Sequence, residues 1–138
     1  MKKLLFLVLL IPLLSGCDLF NDKCSETDLE EPISVVINIT IINTSYDALE
    51  GIHVYGYKYY CSGGTGATDY AVGDIPTAGG YRNGYLVFKF QNERDDVTVK
   101  VVATGVDGAG DEYKRELSIV LTYADFANSP VINKTFNF

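Results

Sequence analysis

The sequence predicts an all-β domain, an antiparallel β-sandwich of six to seven strands. Three observations carry that expectation. Apolar residues recur with a period of two in run after run; the runs are separated by Gly, Asn and Asp; and no stretch between them has the three-to-four-residue periodicity of an amphipathic helix.

The first strand lies in "ISVVINITII", where Val35, Ile37, Ile39 and Ile41 share one face and Asn38 and Thr40 the other. "NTSYDALEG" is the turn that follows. "IHVYGYKYY" alternates again, with Ile52 and Val54 opposite His53, Tyr55, Tyr57 and Tyr59. A short strand is expected in "GATDYAV". "YLVFKF" sets Leu86, Phe88 and Phe90 together, and "VTVKVVA" does the same for Val97, Val99, Val101 and Ala103. Leu117, Ile119 and Leu121 pattern the next strand, and Ile132, Phe136 and Phe138 the last. The turns are "QNERDD", "DGAGDE" and "ANSP", and the one candidate helical turn is "TYADFANS".

The N-terminus has a different character. Lys2 and Lys3 precede an apolar run from Leu4 to Leu14, too short to span a bilayer, and Ser15-Gly16 supply small residues ahead of Cys17. Leu14-Ser15-Gly16-Cys17 resembles the lipobox of bacterial lipoproteins. That resemblance implies a signal peptide over residues 1–16 and a diacylglyceryl group on Cys17, the mature N-terminus. It also implies lipid anchorage to a membrane of the bacterial cell envelope, on the periplasmic or extracellular side. Asp18 resembles an inner-membrane retention signal of enterobacteria, whereas other groups use acidic residues there to direct export to the cell surface. Residues 17–32 read as the lipidated cysteine and an acidic tether ending at Pro32, and residues 33–138 as the domain.

Two cysteines remain, Cys24 and Cys61. An even pair in an exported chain predicts a disulfide. Lys2 and Lys3 are the only charges before Cys17, so the −7 of the whole chain becomes −9 once residues 1–16 are removed. Such a surface repels phosphate backbones and excludes nucleic acid as a partner.

"ALEGIHVYGY", "GGYRNGYLVFKF" and "VTVKVVATGVDG" resemble, in that order, the pattern of transthyretin-like, carboxypeptidase-regulatory-type sandwiches. Short bacterial lipoproteins with such a domain, some encoded beside radical SAM enzymes, are similar through Val106-Asp107-Gly108 and the following "EYKRELSIVLT". The resemblance covers residues 35–122 and implies an Ig-like or transthyretin-like sandwich. It departs where Thr68-Asp69 runs into a Gly-rich insertion, so that Asn83-Gly84-Tyr85 fills the expected slot.

Catalytic chemistry finds little support. His53 is the single histidine, which excludes a two-histidine zinc site, and neither a nucleophile elbow nor a phosphate-binding loop is present. Asp107, Asp111 and Glu112 read as a polar hairpin turn rather than a calcium loop. No cofactor or metal is implied. The most distinctive stretch is "YGYKYYCSGGTGATDY", where Tyr55, Tyr57 and Tyr59 share a strand face beside a Gly-rich loop. Flat rings with polar tips suit contact with a protein or a sugar. The expectation is a membrane-anchored, non-catalytic envelope lipoprotein acting through protein contacts or as a structural module, with a glycan-binding accessory protein as the alternative.

Overall fold

The computed structural model describes residues 22–138 apart from Tyr46. The segment expected to be a signal peptide and the expected lipidation site Cys17 lie outside the described residues. A single helical turn, Asp22–Ser25, leads into seven strands: β1 (Asp28–Ile42), β2 (Leu49–Tyr59), β3 (Thr65–Ile75), β4 (Tyr81–Asn92), β5 (Asp96–Val106), β6 (Glu112–Thr122) and β7 (Val131–Asn137). They form two sheets, β4-β1-β7 and β3-β2-β5-β6, packed face to face as a β-sandwich.

The core is what the period-two pattern demands. From the three-stranded sheet come Val35, Ile37, Ile39, Ile41, Leu86, Phe90 and Phe136; from the four-stranded sheet Leu49, Ile52, Val54, Val97, Val99, Val101 and Leu121, all buried. The expected strand in "GATDYAV" is present and longer, spanning Thr65–Ile75 at a sheet edge. The helical turn in "TYADFANS" is a 3-10 turn at Tyr123–Phe126, and it drops Phe126 into the core 5.5 Å from the Phe90 ring centroid.

Two features depart from the sequence expectation. β1 pairs antiparallel with β4 but parallel with β7, so the sheet is mixed. Its seventh strand arrives from the other sheet through the 3-10 turn, and such a crossover permits parallel pairing where a hairpin would not. The described structure also begins before the expected end of the tether. β1 starts at Asp28, and between the pairs Asp28–Asn92 and Ile33–Phe90 four residues of β1, Leu29 to Pro32, stand against the single residue Gln91 of β4. Pro32 sits inside that irregularity, where its missing N–H removes no ladder bond. Buried Asn92 fastens this segment: its Nδ2 donates to the Asp28 carboxylate at 2.8 Å, and its Oδ1 accepts from Thr27 Oγ1 at 2.8 Å.

The crossing from β1 to β2 is organised by Asn43, fully buried in "NTSYDALEG". Its amide donates to the carbonyl of Asp47 at 2.8 Å, and its oxygen accepts from the Ser45 N–H at 3.0 Å.

Three of the four edge strands place a cation in the inward phase: Arg82 opposite Ile41, Lys134 opposite Ile39 and Arg115 opposite Ala103. Inward-pointing charges of this kind discourage edge-to-edge pairing. At β3 and β4 the sheet edges come together instead, and Tyr70 reaches across to pack on Gly84.

Candidate functional site

With Ile52, Val54 and Lys58 buried, alternation turns His53, Tyr55, Tyr57 and Tyr59 to the outer face of the four-stranded sheet. The rings of Tyr55 and Tyr57 lie 6.3 Å apart, within 5° of parallel, and His53 continues the series at 5.9 Å from Tyr55. The stack is therefore His53–Tyr55–Tyr57. Tyr59, grouped with these rings from the sequence, stands exposed at the strand end. Nδ1 of His53 is buried and makes no hydrogen bond.

β2 is a central strand, so both neighbours frame the stack. Tyr55 is paired with Asp69 on β3 and Lys100 on β5, and Tyr57 with Ala67 and Thr98. Lys100 Nζ lies 5.9 Å from the Tyr55 ring centroid and 3.9 Å from Glu116 on β6. Lys114 pairs with the same carboxylate at 2.6 Å, holding Glu116 below and Lys114 above their ordinary pKa ranges. Aromatic rings are thus interleaved with charges of both signs, a composition that suits contact with another protein.

One end of this strand is fixed by a constellation that the sequence reading did not assemble. Lys58 continues the inward phase of Ile52 and Val54, and its ammonium forms an ion pair with Asp95 in the β4–β5 turn. It also donates to the Lys89 carbonyl and sits 4.2 Å from the centroid of the Tyr60 ring. Asp95 accepts backbone N–H groups from Cys61, Gln91 and Asn92. Burial alone would raise the Asp95 carboxyl, but the amides of Gln91 and Cys61 and the Lys58 ammonium outweigh it and hold the pKa below the ordinary carboxylate value. Beside this pair Cys24 and Cys61 form a disulfide across a Cα–Cα distance of 5.7 Å, joining the entry turn to the loop after β2. The pairing is the one expected.

Between the edges of β3 and β4 an open cleft of about 810 Å³ runs past Lys58, Tyr60, Thr68, Tyr85 and Phe88. It exists because the inward positions at this end of β3 are Gly66 and Thr68, too small to meet the opposite sheet. Phe88 instead packs on Gly56, where any Cβ would lie 2.6 Å from the ring. Tyr70 closes one end, its hydroxyl buried without a hydrogen-bond partner and its pKa raised by desolvation. The described lining has lysines but no carboxylate or imidazole.

Asp107 is committed to its turn, since its Oδ1 accepts the N–H groups of Ala109 and Asp111, both at 2.9 Å. Among the described residues no three His, Cys, Asp or Glu side chains gather as a metal site, and no helix is long and apolar enough to cross a membrane. No family model matches the chain, and no curated protein or solved structure is found similar to it.

Proposed function

We propose that this chain is a lipid-anchored, non-catalytic module of a bacterial cell envelope. Cys17 carries the lipid, and the outer face of the four-stranded sheet meets an envelope protein. The anchor rests on the register of Lys2-Lys3, the apolar run and Leu14-Ser15-Gly16-Cys17. The contact rests on one structural observation, the outward His53–Tyr55–Tyr57 stack set among Asp69, Lys100 and Glu116. Tyrosines in such settings give large contact area at low entropic cost.

Each half has its own test. Cells fed a labelled fatty acid should label the wild-type protein and not Cys17→Ser; label that survives the substitution overturns the anchor. A photo-crosslinking residue at position 57 in intact cells should yield one discrete adduct, and the same residue at Asn133 on the other sheet should not yield it. Identical adduct patterns from the two faces overturn the contact.

A further inference from the structure

The opposite surface of the molecule is chemically unlike the tyrosine stack. Along the outer face of the three-stranded sheet, β4, β1 and β7 bring side chains together in four successive rows. The two middle rows are Tyr85–Asn38–Asn133 and Asn83–Thr40–Thr135. Flanking them are Val87–Val36–Val131 on one side and Tyr81–Ile42–Asn137 on the other. None of these twelve side chains is an acid or a base, in a chain of which 21% is charged. The surface is not hidden: Tyr85 is 66% exposed, Tyr81 61% and Val87 53%.

The face is also pre-wired for hydrogen bonding without charge. Asn38 Nδ2 donates to Asn133 Oδ1 at 3.0 Å, and Thr40 Oγ1 donates to Asn83 Oδ1 at 3.0 Å. Each bond fixes an amide while leaving capacity over: the Asn38 oxygen as acceptor, and the Asn133 and Asn83 amide nitrogens as donors. Mixed donors and acceptors a few ångströms apart, with an exposed ring beside them, match the hydroxyls and flat C–H faces of a sugar.

We infer that this face binds a neutral polysaccharide. Its charge pattern excludes the competing occupants. An anionic polymer meets no cation within these four rows, only Lys89 one row beyond Val87, and is repelled by the acidic remainder. A membrane surface is held by apolar residues with several basic ones beside them, and here a single lysine, Lys89 paired with Ser34, stands one row beyond Val87. Protein interfaces place apolar residues at the centre and polar ones at the rim, whereas here amides and hydroxyls fill the two middle rows, with Tyr85 at their β4 edge, and three valines, Ile42 and Tyr81 stand at the ends. The patch measures roughly 20 Å along the strands and roughly 10 Å across them, room for several units of a sugar chain. The inference is independent of the lipid anchor and of the tyrosine stack on the other sheet.

The test is affinity electrophoresis of the full chain in detergent, through gels containing hydroxyethylcellulose, xyloglucan, galactomannan or laminarin, with polygalacturonate as the charged control. At least one neutral polymer should retard the wild type and polygalacturonate should not. Tyr85→Ala and Asn38→Asp should each weaken the retardation roughly tenfold. Both positions are exposed, so thermal melts should stay close to wild type, and Tyr81→Ala serves as a further variant should either fail to fold. Tyr55→Ala/Tyr57→Ala should be retarded as strongly as wild type. The inference is overturned by the absence of retardation in all four neutral gels, or by equal retardation in polygalacturonate. Loss of binding in the Tyr55/Tyr57 variant instead would overturn it too, as would sedimentation showing that the face pairs with a second copy.

Discussion

Lys58 Nζ lies 3.1 Å from Asp95 Oδ2, and the two side chains are only 4% and 2% exposed. The pair ties β2 to the β4–β5 turn, and the partners are unequally provided for. Asp95 keeps three backbone N–H donors even without the lysine, while the lysine without the carboxylate keeps one carbonyl and a ring. Leaving a buried charge unpaired costs about 3 to 5 kcal/mol. Asp95→Ala should therefore lose that much in urea unfolding, and Lys58→Met distinctly less. Equal losses, or the reverse order, would show that the pair does not hold the turn as described.

The same carboxylate gives a pH dependence. Its folded pKa is depressed, so the unfolded chain binds the proton more readily. The stability it contributes is present above the unfolded value of about 3.9 and is lost as pH falls from there through the folded pKa. The wild-type urea midpoint should drop across this acid window, and Asp95→Asn, weaker throughout, should drop less. Parallel curves for the two proteins would assign the acid sensitivity to other groups.

Much of this architecture was legible because burial and sequence period coincide. Val35, Ile37, Ile39 and Ile41 announce a strand with one wet face, and their register in the structure is the one the alternation requires. Lys58 was visible too, since it falls in phase with Ile52 and Val54, but its partner was not. Glu93, Asp95 and Asp96 all lie in "QNERDD", and only the folded turn brings Asp95 to the lysine. β3 was underestimated because an edge strand has few apolar residues to reveal it; Tyr70 and Val72 are only half-buried. The uncharged face was invisible for a different reason. Asn38, Asn83 and Asn133 belong to three separate segments, and nothing marks them as neighbours until β1 lies between β4 and β7.

Gly84 is needed for a close approach between sheets. A Cβ there would overlap the Tyr70 hydroxyl and stand 2.9 Å from the ring carbon Cζ, so Gly84→Ala must push the ring aside. Overpacking of this kind costs about 1 to 3 kcal/mol. Tyr70→Leu in the Gly84→Ala background should recover part of the loss, giving a positive coupling in a double-mutant cycle. Strict additivity would mean that the two side chains do not meet.

The disulfide closes a separation of 37 residues between Cys24 and Cys61. Constraining the unfolded chain to that extent is worth roughly 3 to 4 kcal/mol in the loop-entropy account. Cys24→Ser/Cys61→Ser, or reduction of the wild type, should lower the unfolding free energy by about that amount. The β-sheet circular dichroism of the folded state should be preserved, because the core lies away from the bridge. Collapse of the sheet signal on reduction would make the bridge a requirement for folding rather than an increment to it.

The tyrosine stack provides the sharpest separation of fold from contact. Tyr55 and Tyr57 face away from the core formed by Ile52 and Val54 and lean mainly on each other and on cross-strand neighbours at Asp69, Lys100, Ala67 and Thr98. Cross-strand contacts of this sort contribute about 0.2 to 1 kcal/mol each. Tyr55→Ala/Tyr57→Ala should then cost about 1 to 2 kcal/mol in total, against about 2 to 5 kcal/mol for the single core truncation Ile52→Ala. Under the proposed function the double variant should also lose the adduct formed from a crosslinker at position 59 on the same face. If it instead unfolds as readily as Ile52→Ala, the rings serve the core. A variant that stays folded and keeps the adduct would leave the stack as a solvent-side packing feature and remove the support for contact through this sheet.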